Sequence, residues 1–170
     1  MNWIPITLRF VHVVFGALWV GMMVFQVFLL LPAVRDVGSS GSAVLRALQR
    51  RGITVMMPLL ALGTVASGMA LFMRFAGGAS HVALMHSPMA MAFMLGGISG
   101  LIALILGMVL VRPAAVRAAA IEDQLAAGRA GPEREAELRR LYGRTLVAGR
   151  GVAVLLLFAL GAMSVARYLQ

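Results

Sequence analysis

The sequence predicts an all-α, polytopic membrane protein: a single domain, 1–170, of four transmembrane helices with an Arg-rich cytoplasmic helical hairpin between the third and fourth. Three observations lead there. The 170 residues are 61% hydrophobic and 12% charged, about half the charged share of an ordinary soluble domain, with a mean hydropathy of +0.94. Four stretches run without Asp, Glu, Lys or Arg: Phe10 to Val34, Gly52 to Met73, Phe75 to Val111 and Gly151 to Ala166. Most of the arginines gather in two segments between those stretches, which is the positive-inside pattern of a multi-pass protein.

A helix needs about 20 residues to cross the hydrocarbon core, so the first two stretches hold one span each, at about 4–32 and 53–75. The third is too long for one simple span. It is interrupted by Gly77-Gly78, a turn, and by Ser87-Pro88, an N-cap followed by Pro at the first helical position. The third helix therefore starts at 88 and runs to 112, then continues into the polar stretch 113–127 with a kink at Pro113. Gly131-Pro132 restarts a helix that runs unbroken into the fourth span, 145–169. That span is short in apolar residues, and Arg150 and Arg167 make up the length by snorkelling. The extension 113–144 carries acids early and arginines late in Pro132–Tyr142, suiting the helix dipole and Glu/Arg pairing at helical spacing. It reads as a solvated structure outside the bilayer.

Orientation follows from the arginines. Between helices 1 and 2 lie Arg35, Arg46, Arg50 and Arg51; between helices 3 and 4 lie Arg112, Arg117, Arg129, Arg134, Arg139, Arg140 and Arg144. The opposite side has only Arg9, Arg74 and Arg167. This puts the chain in a bacterial inner membrane with both termini periplasmic. The net charge of +9 belongs to that asymmetry and not to nucleic-acid binding. Phe10–Leu31 is too long for a signal-peptide core and has no A-x-A site, so helix 1 is retained. Cysteine is absent, which removes disulfides, thiolate metal sites and Cys nucleophiles.

The first helix carries the strongest functional signal. Arg9, His12, Gly16, Trp19, Met23 and Gln26 are spaced 3, 4, 3, 4, 3 and share one helical face. Polar groups in hydrocarbon are costly and face the bundle interior. His12 is the candidate ligand; a hydrogen bond to a neighbouring helix is the plain alternative. His81 and His86, with Met69, Met73, Met85, Met89, Met94 and Met163, fall on the same outer side. Imidazole and thioether suit Cu(I) or haem iron, although methionine is also ordinary apolar filler. All six acids fall on the other side, leaving Arg9, Arg74 and Arg167 to bind lipid phosphate or haem propionates. Gly96, Gly100, Ala103 and Gly107 on helix 3, Gly63, Thr64, Ser67 and Gly68 on helix 2, and Gly161 and Ala162 on helix 4 read as close-packing faces. There is no phosphate-binding glycine loop, no zinc-protease motif, no serine-hydrolase elbow and no pair of carboxylates in a span.

The string from His12 through Trp19 to Gly21, H-x6-W-x-G, resembles the first helix of small bacterial four-helix membrane proteins of the copper-resistance D type and the HemJ type, the latter protoporphyrinogen oxidases. The ending Met163–Tyr168 and the Arg112-Pro113 exit are similar to relatives in that group. The resemblance implies a four-helix bundle with haem b on the helix 1 histidine, here His12. HemJ-type proteins also use a lysine on a later helix, and this chain has none.

Three readings result. In the first, haem b is held by His12, with His86 or Met89 as a second ligand, Arg9, Arg74 or Arg167 on the propionates, and Gly16 and Trp19 shaping the wall; the task is electron transfer or porphyrin redox chemistry with a membrane redox partner. In the second, copper is handled by His12, His86, Met85 and Met89 near the periplasmic face. In the third, the chain is a non-catalytic subunit or scaffold in a protein complex or homo-oligomer.

Overall fold

The computed structural model describes residues 3–77, 84, 86–129 and 131–169. Of the residues singled out above, Gly78, His81 and Met85 lie outside this set. The described chain forms α1 (Trp3–Asp36), α2 (Ser39–Arg50), α3 (Ile53–Ala76), α4 (Pro88–Ala126) and α5 (Pro132–Tyr168). All except α2 are long and apolar enough to cross a membrane, which points to a multi-pass protein in a lipid bilayer. The first three expected spans lie within their helices, and the fourth, 145–169, runs one residue past the end of α5 at Tyr168.

The local signals act as expected at several boundaries. Ser87 caps α4, its Oγ accepting from the Ala90 N–H at 3.3 Å, with Pro88 at the first position. Gly131-Pro132 starts α5, which continues without a break into the fourth apolar stretch. Gly52 adopts the left-handed conformation (φ 83°) between α2 and α3, a turn that a side chain would strain.

Two irregularities have a common cause. Gln26–Leu30 in α1 and Gly107–Val111 in α4 are π-helical turns. They are closed by the Leu31 N–H on the Gln26 carbonyl and by the Arg112 N–H on the Gly107 carbonyl. In each case a proline, Pro32 or Pro113, stands one residue past the closing donor. Proline supplies no N–H and its ring collides with the carbonyl four residues back, so the preceding turn widens to an i→i−5 bond. At Pro113 the expected kink is thus a wide turn just upstream, and the helix runs on to Ala126.

α2 was not anticipated. Leu45 is buried in the main core, Leu48 is half-buried, and Ala43, Val44, Ala47 and Arg50 are exposed. Gly41 is buried where a Cβ would overlap the Val34 backbone, so α2 lies directly on the end of α1.

Packing is pairwise. α1 lies mainly on α3 and α4 mainly on α5, while α3 and α4 touch much less. In the first pair Gly63 faces the Phe15 ring and Gly16 faces Thr64. In the second, Gly96 receives Met163, Ala103 is fully buried, and Ser99 donates to the Leu155 carbonyl at 2.8 Å. The small-residue face of helix 2 therefore serves close approach, and on helix 3 Gly96 and Ala103 do so, whereas Gly100 and Gly107 have open space beside them. Gly161 does not serve close approach either, since it is exposed with open space beside it; Gly149 takes that role on α5, under Val27 and Met23. Beyond the apolar stretches, Pro113–Ala126 packs on the first turns of α5 through Ala118, Ile121 and Leu138.

Candidate functional site

The face of α1 carrying the 3, 4 spacing turns inward. Trp19 and Met23 are buried in the core, and His12, Gly16 and Gln26 are half-buried. Arg9, at the start of the stripe, is exposed.

His12 reaches α3. Its Nδ1 lies 2.8 Å from the Thr64 carbonyl oxygen. A carbonyl only accepts, so Nδ1 carries a proton, and in the neutral ring the lone pair is on Nε2. The ring lies against Gly68, where an added Cβ would stand 2.7 Å from its Cε1; only glycine leaves that space. Thr64 Oγ1 donates to the Leu60 carbonyl at 2.7 Å, and Ser67 Oγ donates to the Gly63 carbonyl at 2.5 Å. The polar groups of this part of α3 are thus tied into their own helix, and His12 supplies the cross-link between the two helices. Nε2 makes no hydrogen bond among the described residues.

The other predicted site residues are dispersed. His86 is exposed in the turn before α4, and Met89 is half-buried in its first turn. Arg74 is exposed near the end of α3. Arg167 stacks on the Tyr168 ring and donates to its hydroxyl at 2.7 Å. Met69 and Met73 are exposed on the outside of α3. Among the described residues no hydrogen bond or ion pair joins His12, His86, Arg9 or Arg74 to one another, and no group of three or more His, Cys, Asp or Glu could hold a metal ion. Gly16 is occupied by Thr64, and Trp19, seven residues beyond His12, borders a separate cleft about 10 Å further along the helix axis. The chain matches no protein-family model, no curated protein and no solved structure.

A second polar centre lies in the extension. Glu122 on α4 is 1% exposed. Its Oε1 accepts from the Tyr142 hydroxyl of α5, and its Oε2 has no partner among the described residues. Burial raises the Glu122 carboxyl above the ordinary carboxylate range, with Tyr142, Arg46 and Ser42 pulling the other way. Burial also raises the Tyr142 phenol, reinforced by the neighbouring carboxylate. The expectation that this stretch is solvated throughout is corrected here: it closes over a buried acid. The expected Glu/Arg pairing does form on its exposed side. Arg134 pairs with Glu137 at 2.8 Å, Arg139 with Glu135 at 3.9 Å, and Arg117 of α4 joins Glu137. The hydrogen bond from Arg117 is the main reason Glu137 falls below the ordinary range. Ala118 and Ile121 beside Glu122 form a short apolar face, but their spacing does not single out Glu122 among the charges around it.

The cleft beside Trp19 encloses about 110 Å³ where α3 and α4 part. Its floor is Trp19, Met23, Ala61, Leu104 and Val152; towards α2 it is bordered by Gln26, Gln49, Thr54 and Arg112. Both π-helical turns contribute to it, through Gln26 and Leu30 on one side and Gly107, Met108 and Val111 on the other.

Proposed function

We propose that the chain is a small multi-pass protein of the bacterial inner membrane that binds haem b through Nε2 of His12. The observation that supports this is the hydrogen bond from Nδ1 to the Thr64 carbonyl. It orients the ring and, in the neutral imidazole, leaves the lone pair on Nε2, as a histidine that would hold haem iron needs. Haem supplies one-electron chemistry when bound. The chain's own part is to hold the imidazole rigidly, by the Thr64 carbonyl and the flat niche at Gly68, and to offer Arg9, one turn away on the same face, to a propionate. Of the predicted set, His12 and Arg9 fit this role. Gly16 and Trp19 do not, because each is engaged elsewhere, and the reading takes a single protein ligand. In this orientation α2 and the Arg-rich extension are cytoplasmic, and both termini are periplasmic.

The plain alternative is that His12 only locks α1 to α3, in a non-catalytic subunit; the same hydrogen bond supports that reading. Copper held by His12, His86, Met85 and Met89 rests on donor chemistry alone. A visible spectrum of detergent-purified protein expressed with haem supplementation separates the three. A Soret band that His12→Ala abolishes while helical content is retained is the expected result. Protein lacking the band, or keeping it without His12, overturns the haem reading, and stoichiometric copper without haem favours the second.

A further inference from the structure

The cleft between α3 and α4 has a chemical polarity of its own. Its deep end, formed by Trp19, Met23, Ala61, Leu104 and Val152, is apolar apart from the Trp19 indole N–H. Its mouth carries the Gln49 amide of α2, the Thr54 hydroxyl in the first turn of α3 and the Arg112 guanidinium of α4, with the Gln26 amide below them. None of these four side chains makes a hydrogen bond or ion pair among the described residues. Pro58, which also lines the cleft, has no N–H for the Thr54 carbonyl four residues back. The two π-helical turns open on the same space, and such turns recur at binding sites.

A cleft with a greasy floor and an unpaired cation, an unpaired hydroxyl and two unpaired amides above it matches a molecule with an apolar tail and an anionic head. The mouth holds one guanidinium and otherwise neutral groups, so the complement is a single negative charge. A planar carboxylate pairs with arginine through two parallel bonds, and the narrow floor suits one chain. We propose that this cleft binds a long-chain fatty carboxylate, its head on Arg112 with Gln49 and Thr54 and its tail running down to Trp19. Arg112 sits where the apolar stretch of α4 ends, so a head group there lies at the membrane surface while the tail stays in hydrocarbon. α2 covers this mouth through Leu45, Leu48 and Gln49. The inference does not depend on haem binding.

The test uses the full chain in phosphatidylcholine nanodiscs and a palmitic acid probe with a photoreactive diazirine near its terminal methyl. Saturable labelling of the segments around Met23, Met57 and Leu104, displaced by unlabelled palmitate, is expected. Arg112→Gln, at an exposed side chain, should weaken the binding at least tenfold, and the matching fatty alcohol probe should bind at least tenfold less well. Ala61→Phe, which fills the floor, should abolish labelling; if that variant does not fold, Arg112→Gln and the alcohol probe decide alone. Labelling that does not saturate, that is equal for acid and alcohol, or that is indifferent to Arg112→Gln overturns the proposal. So does displacement by a lysophospholipid in preference to palmitate.

Discussion

At the scale of single residues, the two centres of interest solve the burial of polarity in opposite ways. His12 is satisfied by a backbone carbonyl that already belongs to a helix, so it costs little and joins two elements. Glu122 is not fully satisfied: one oxygen has the Tyr142 hydroxyl and the other has no partner among the described residues. A buried polar atom left without a bond costs about 1–3 kcal/mol. Because burial holds its proton more firmly in the folded chain than in the unfolded one, the folded state binds more protons as the pH climbs past the ordinary value of 4.5. Stability attributable to this group is therefore greatest below that value and declines as pH rises towards the folded pKa. Glu122→Gln should melt a few degrees higher than the parent at pH 7 and show a flatter profile above pH 4.5, as read by thermal unfolding in detergent. A lower melting temperature at pH 7 would mean that the ionised carboxylate stabilises the fold. The stripe on α1 made His12 legible in the sequence, because polar residues among Val, Phe and Leu stand out. Glu122 was not legible, since in a segment rich in charge nothing in the spacing shows which acid the fold will enclose.

At the scale of elements, the spans were readable because length and absence of charge are sufficient criteria. α2 was missed because the segment 35–51 was read only for its arginines, although Val44, Leu45 and Leu48 recur at helical spacing. The π-helical turns were half visible: the prolines announce a disturbance, but whether the helix ends, kinks or widens is decided by what packs on it afterwards. A π-helical turn holds one residue more than the α-helix needs. Deleting Val109, which faces outward at 64% exposure, should therefore convert Gly107–Val111 to an ordinary turn without rotating the flanking packing faces. The shortened protein should remain monodisperse and helical by size exclusion and circular dichroism. Deleting Leu101, within the regular part of α4, turns everything beyond it by about 100° and should give aggregation. Equal damage from both deletions would show that the wide turn does not act as a spare residue.

At the scale of the whole molecule, two close helix pairs, α1 with α3 and α4 with α5, meet less intimately at α3 and α4, and the cleft lies along that seam. The arrangement of spans was legible from hydropathy. The pairing was not, because small residues occur on both faces of several helices; Gly161 looked like a contact and Gly149 is one. Orientation rests on the arginine asymmetry. Single cysteines at the exposed positions Arg129 and Tyr168 test it in intact cells: an impermeant maleimide should label the second and not the first, and the reverse pattern would invert the molecule. The helix α5 is 37 residues long, or about 55 Å, nearly twice the roughly 30 Å hydrocarbon core. No flexible joint separates its outer arm from the part inside the lipid. A force applied to that arm, by a docking protein or by a change of charge on Glu122, is carried down a single rod to the level of Val152 and Leu156, as a lever transmits a push at its handle.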